Sequence, residues 1–170
     1  MLMQGVGTTT GSADAAASPH PDLFDDLSFL LARSNALSLA AGNAALRAYG
    51  LRVRSYSVLA LAAGGRRPSQ RELAELLRLD PSQVVALVDE LQARDLVIRQ
   101  PDPGDRRANV VTATDEGAAL YARATVAVAG AQEDVFGSLS LEERSRLTTL
   151  LRSIAIPTSL RTAAPTASES

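Results

Sequence analysis

The side chains of this protein best equipped for chemistry are its arginines. All 17 basic residues are arginine; there is no lysine and no cysteine, and the single histidine, His20, stands between two prolines near the start of the chain. A guanidinium presents a planar fork of donors that fits a phosphate or a base edge bidentately. The densest local grouping is "RQPDPGDRRANVV", Arg99 to Val111, where Asp102, Asp105, Arg106 and Arg107 crowd a Pro/Gly turn between two runs of strand-forming residues. A carboxylate beside an arginine holds it in a reaching rotamer, so this tip is equipped to meet an anion. A merely solvated turn has the same composition, and the elements around it decide between the two readings.

Other chemistry is thinly provided. Without cysteine there are no disulfides, no thiol redox sensing and no Cys-ligated metal. Without lysine, and with the only histidine in a tail, nucleophile–base pairs and His/Cys metal clusters are unavailable. Asp102 and Asp105 are a carboxylate pair on a turn tip rather than in a cleft, so neither an enzyme nor a bound cofactor or metal is expected. The net charge is -2, and from Arg66 to Arg107 eight arginines face eight acidic residues. Any nucleic-acid surface must therefore come from the arrangement of charge and not from its sum.

The elements that would position these arginines are legible in turn. Residues 1–21 and 157–170 are poor in core-forming residues and are expected as disordered tails around one domain, 22–156. No stretch approaches the ~18 apolar residues of a membrane span. The start lacks the basic and apolar regions of a secretory signal, so a cytoplasmic protein is expected, nucleoid-associated only if the elements below bind DNA. Apolar residues recur at threes and fours from Leu23 to about Tyr49, with Gly50 as a stop, and a second helix is expected over Ser55 to Ala63, ended by Gly64 and Gly65. Ser69 with Glu72 is a capping box for a helix whose apolar face is Leu73, Ala74, Leu76 and Leu77. Asp80 is an N-cap, Pro81 suits the first helical position, and Gln83 completes a second box. That helix would bury Val84, Leu87, Val88 and Leu91. Two short helices joined by about three residues form a helix-turn-helix. "LVIRQ" and "NVVTA" then flank the charged turn as a hairpin. Thr114 opens a helix to about Phe136, and Ser140 with Glu143 opens a last one that stops before Pro157. The fold class is mainly α with a small β-hairpin wing: a winged helix-turn-helix enclosed by helices from both chain ends.

The run Ser69 to Leu120, and within it D-P-x-D-R-R (Asp102, Pro103, Asp105, Arg106, Arg107) followed by T-D-E-G (Thr114 to Gly117), resembles the MarR (multiple antibiotic resistance regulator) family. The likeness covers roughly residues 25 to 155. It implies a homodimer, with 22–50 and 115–156 as dimerisation helices and 55–114 as the DNA-binding lobe. It further implies a sequence-specific regulator of transcription, by family default a repressor, released from a pseudo-palindromic operator by a small aromatic or anionic ligand. The alternative is a winged-helix module for protein contact, or a DNA binder without an effector. It is motivated by the neutral winged region and by Val85 and Ala86, which stand where many relatives carry Thr-Arg.

The resemblance makes Ser82 to Arg94 the recognition helix. With Val84, Leu87, Val88 and Leu91 turned inward, Ser82, Gln83, Ala86 and Glu90 point away from the core. Gln pairs with adenine, Ser with a base or phosphate, and Ala meets a thymine methyl. The tip becomes the wing that reaches the minor groove, with Arg107 inserted and Arg106 on phosphate, or the two roles reversed, and Asp105 beside them. Arg66, Arg67, Ser69, Arg71 and Arg78 are candidate phosphate contacts, though each arginine would serve equally in a surface ion pair. Leu27, Leu30, Leu31, Leu139, Leu147, Leu150, Leu151 and Ile154 are the expected dimer contacts. Arg33, Asn35, Arg54, Tyr56 and Ser57 are the expected ligand-pocket residues.

Overall fold

A computed structural model describes residues 22–102 and 109–156. Asp105, Arg106 and Arg107 of the wing tip lie outside the described residues, as do both expected tails. The chain divides into two units, Met1–Ser34 and Asn35–Ser170. In the first, the Asp22 carboxylate accepts from the Phe24 amide at 3.1 Å and opens a 3-10 turn, Leu23–Asp25. Asp26 accepts from the Phe29 amide at 2.7 Å, and the rings of Phe24 and Phe29 meet edge to face at 6.0 Å. Helix α1, Leu27–Leu46, begins here, and Leu27, Leu30 and Leu31 are exposed along it.

In the second unit α1 ends in a 3-10 turn, Arg47–Tyr49, and Gly50 takes the left-handed conformation (φ 63°) that reverses the chain. Helix α2, Val53–Ala63, starts two residues before the expected Ser55. The reason lies outside the local sequence: Asn43 Oδ1 accepts from the Val53 amide at 2.9 Å, while Ser55 Oγ accepts from the Arg52 amide at 3.0 Å. Orphan amides of the first turn are thereby satisfied, one of them by a residue ten positions upstream.

Helix α3, Gln70–Leu77, and helix α4, Pro81–Ala93, carry the two capping boxes read from the sequence, Ser69/Glu72 and Asp80/Gln83. Between them Arg78 is left-handed (φ 52°), and the Leu79 amide donates to the Ala74 carbonyl at 3.1 Å, closing α3. Strands β1, Val97–Pro101, and β2, Asn109–Ala113, pair antiparallel from Val97↔Ala113 to Pro101↔Asn109. A bridge from Ser69 to Val110, with the Val111 amide donating to the Pro68 carbonyl at 2.8 Å, ties the hairpin to the start of α3. Helices α5, Asp115–Phe136, and α6, Leu141–Ala155, follow, the latter opened by the Ser140/Glu143 box.

The core of this unit joins α1, α2, α3, α4 and the hairpin through fully buried Leu46, Val58, Leu59, Leu73, Val84, Val88, Leu91, Val97 and Val111. Burying each such side chain contributes about 1.5–3 kcal/mol. Leu87, expected inward with them, is only half-buried and packs at the edge of the core. The T-D-E-G run fastens α5 to the turn after α4. Thr114 Oγ1 donates to the Asp95 carbonyl at 2.6 Å and accepts from the Gly117 amide at 3.0 Å. A Cβ on Gly117 would stand 1.9 Å from the Leu96 carbonyl oxygen, so only glycine permits this approach.

Candidate nucleic-acid interface

Once the apolar stripe of α4 is buried, its opposite side must face outward. Ser82, Gln83, Val85, Ala86, Asp89 and Glu90 are all exposed. The cap that starts the helix engages two of them. The Asp80 carboxylate accepts from the Ser82 amide at 2.8 Å and from the Ser82 hydroxyl at 2.6 Å. These bonds, the hydroxyl's first, hold the Asp80 carboxyl below its usual range. Gln83 Oε1 accepts from the Asp80 amide at 3.3 Å. Ser82 thus offers a partner its lone pairs, and Gln83 its amide donors. Pairing Gln83 with both edge atoms of an adenine requires its carbonyl to leave the cap. Val85, 43% exposed, presents a branched apolar surface beside them, a shape that suits a thymine methyl.

The wing strand is locked to this helix by Arg99. Its guanidinium donates to Asp89 Oδ1 at 2.5 Å, to Gln92 Oε1 at 2.8 Å and to Gln70 Oε1 of α3 at 3.4 Å. One cation of β1 thereby holds both helices of the helix-turn-helix and neutralises a carboxylate on the outward side of α4. At the other end, Arg94 donates to the Gly50 and Tyr49 carbonyls at 2.7 and 3.1 Å, pinning the end of α4 to the α1–α2 elbow. Neither role is readable from spacing, because the partners lie 7–45 positions away.

The flanking arginines divide. Arg71 pairs with Glu75 one turn along α3 at 3.1 Å, with both side chains exposed. Arg78 is exposed at the left-handed turn. Arg67 is half-buried with φ 50°, and its Nε is buried without a hydrogen-bond partner among the described residues. Arg66 is exposed. The Ser69 hydroxyl is held at 2.7 Å by Glu72 Oε2 in its capping box.

The expected ligand residues face different neighbours. Arg54 lines a cavity of about 790 Å³ together with Asn43, Arg47, Arg52, Leu87 and Glu90. Glu90, expected at the DNA surface, thus stands at the wall of this cavity. Tyr56 turns instead to α5: its hydroxyl is 3.1 Å from Thr125 Oγ1 and its ring centroid 5.6 Å from that of Tyr121. Burial, ahead of all other causes, pushes the Tyr56 phenol up. The Ser57 hydroxyl donates to the Val53 carbonyl at 2.8 Å. Arg33 and Asn35 are exposed residues of α1. Along α6, Leu150, Leu151 and Ile154 are exposed, and Leu147, like Leu139 before the helix, is half-buried. Glu133 of α5, its carboxyl held low by hydrogen bonding from Arg144, joins α5 to α6.

A helix-turn-helix with an antiparallel hairpin bridged to its first helix and clamped to its second defines a winged helix-turn-helix protein. Residues 49–108 match the MarR family. The chain is 44% identical to a MarR-family transcriptional regulator from Rhodococcus sp. RHA1, with a TM-score of 0.77 over 82% of this chain and 99% of that one. It is also 44% identical to CouR from Rhodococcus jostii RHA1, solved bound to p-coumaroyl-CoA, with a TM-score of 0.76 over 82% and 98%. The HTH-type transcriptional repressor NicR of Pseudomonas putida KT2440 is 39% identical over 84 residues, 49% of this chain and 53% of NicR, so this match spans about half of that relative. The chain belongs to the MarR family. It is a transcriptional regulator, and among the described residues no helix is long and apolar enough to cross a membrane.

Proposed function

We propose that the protein binds a pseudo-palindromic DNA duplex as a homodimer, represses transcription there, and releases the DNA when a small aromatic or anionic ligand binds. The observation that carries this reading is the outward stripe of α4, with its capped start and with a hairpin clamped beside it by Arg99. On this reading the N-terminal residues Ser82, Gln83, Val85 and Ala86 of α4 enter the major groove, and the arginines expected at the wing tip, Arg106 and Arg107 beside Asp105, serve the flanking minor groove. The exposed leucines and Ile154 of α6 are the surface a second copy would cover. Two copies would place their recognition helices one DNA turn apart, ~34–36 Å. The repressor NicR supports the direction of regulation. CouR, with its bound p-coumaroyl-CoA, supports an aromatic acid or its acyl thioester as the ligand class. Release needs a coupling of only about 1–3 kcal/mol between ligand and DNA.

The test is binding of the purified protein to the duplex upstream of its own gene across a salt series, beside an Arg106→Ala/Arg107→Ala variant. Steep salt dependence in the wild type, with a lower affinity and shallower slope in the variant, supports the reading. Absence of binding to that duplex and to duplexes from a genome-wide selection overturns it in favour of a protein-contact module.

A further inference from the structure

Among the described arginines that pair with no carboxylate, three are gathered at one place. Arg71, Arg99, Arg123 and Arg144 each pair with a carboxylate. Arg47 at the end of α1 and Arg52 and Arg54 at the start of α2 make no side-chain hydrogen bond or ion pair among the described residues, yet they line one concave surface. Among the described lining residues the carboxylate is Glu90, so three arginines share this surface with one acid. Like charges gathered without compensation cost free energy unless an anion joins them.

The anion is indicated by what else forms the wall. Leu87 and Glu90 belong to the recognition helix. Glu90 follows Gln83 and Ala86 at spacings of three and four, so it continues their stripe about two turns, roughly 10 Å, further along. A helix whose first turns sit in a major groove ~12 Å wide brings a surface at that distance against the sugar–phosphate backbone bordering the groove. A duplex carries one negative charge per ~1.7 Å of axis. Resting on the DNA-binding reading above, we infer that Arg47, Arg52 and Arg54 form a phosphate-binding surface that seats the trailing end of the recognition helix on the DNA backbone, with Glu90 as its opposing charge. This surface carries no sequence information, since phosphate contacts position a protein and base contacts specify.

Because backbone contacts do not depend on sequence, the test needs no operator. Binding of the full-length protein to a random-sequence duplex is followed by fluorescence anisotropy across a salt series, with circular dichroism as the check of folding. Each of Arg47→Gln, Arg52→Gln and Arg54→Gln makes the negative slope of log K against log salt shallower by about 0.9, and the triple variant by roughly two to three. Glu90→Gln acts in the opposite sense and raises affinity at every salt concentration. A folded triple variant with the wild-type slope overturns the inference. If that variant also loses release by p-coumaroyl-CoA, the surface holds a small anion and not the backbone, which overturns it equally. Wild-type protein that binds no duplex at any salt concentration removes the DNA-binding reading itself, an outcome distinct from an unchanged slope.

Discussion

Arg99 of β1 and Asp89 of α4 are joined at 2.5 Å, with Asp89 exposed on the outward side of its helix and Arg99 partly buried. Asp89 lies four residues after Val85 and seven after Ser82, so its carboxylate stands on the stripe that would face phosphates. A bare negative charge there repels DNA; held by Arg99, it becomes part of the scaffold that sets the angle between wing and helix.

Replacing Arg99 therefore affects DNA binding more than folding. The pair is partly exposed, so Arg99→Gln lowers stability by no more than about 1 kcal/mol. Affinity for duplex falls by a larger factor, about tenfold, and Asp89→Asn in the same chain restores much of it by removing the repelling charge. Urea unfolding beside anisotropy titrations of the single and double variants checks this. Equal losses in stability and affinity, without rescue, would show Arg99 to be structural only.

Gly117 makes a second, purely steric prediction. In Gly117→Ala the new Cβ would stand 1.9 Å from a backbone oxygen that has no rotamer to escape by. Either α5 shifts away from the α4–β1 turn or the Thr114 bonds to Asp95 and Gly117 stretch. The cost is about 1–3 kcal/mol, the usual range for overpacking, and it is read as a lower urea midpoint with an unchanged m-value. A midpoint equal to that of the wild type would mean that α5 is not seated as closely as the structure places it.

How much of this was legible beforehand follows from how local each signal is. Helix starts at Ser69, Asp80, Thr114 and Ser140 were readable because a cap and its partner lie within three residues. The start of α2 was not, because Asn43 caps it from the preceding helix. The outward stripe of α4 followed from a 3.6-residue period. The Arg99 and Arg94 contacts required the fold, since they join residues separated by up to 45 positions. The proposed pocket set divided for the same reason: Arg54 and Tyr56 are neighbours in sequence, but a two-residue step on a helix turns the second to α5 while the first lines the elbow cavity.

The cap of the recognition helix should be acid-sensitive. Asp80 is held below its ordinary value of 3.8, first by the Ser82 hydroxyl and then by the Ser82 amide. A carboxyl lowered in the folded state adds stability that is fully present above its unfolded value and is lost as the pH falls through the folded one. Glu133, held by Arg144, and Glu143, held first by the Ser140 amide, act in the same direction. Stability thus declines below about pH 4, and Asp80→Asn, which keeps a capping acceptor, makes the decline shallower. Urea midpoints measured from pH 3 to pH 6 test this; identical profiles for variant and wild type would remove Asp80 from the account.

The exposed face of α6 yields the last prediction. Ile154 is 74% and Leu150 54% exposed, on a helix with no buried residue of its own. Apolar surface of this kind is stable in water only at a cost that a second copy relieves. If two copies meet here, covering Ile154 contributes about 1.5–3 kcal/mol in each, so Ile154→Asp removes at least about 3 kcal/mol from the dimer and weakens it a hundredfold or more. Sedimentation velocity across a dilution series reads this directly. The variant would run as a monomer where the wild type is a dimer, and its DNA affinity would fall because the two recognition helices no longer arrive together. A variant that stays dimeric with full DNA affinity would place the subunit interface away from the end of α6.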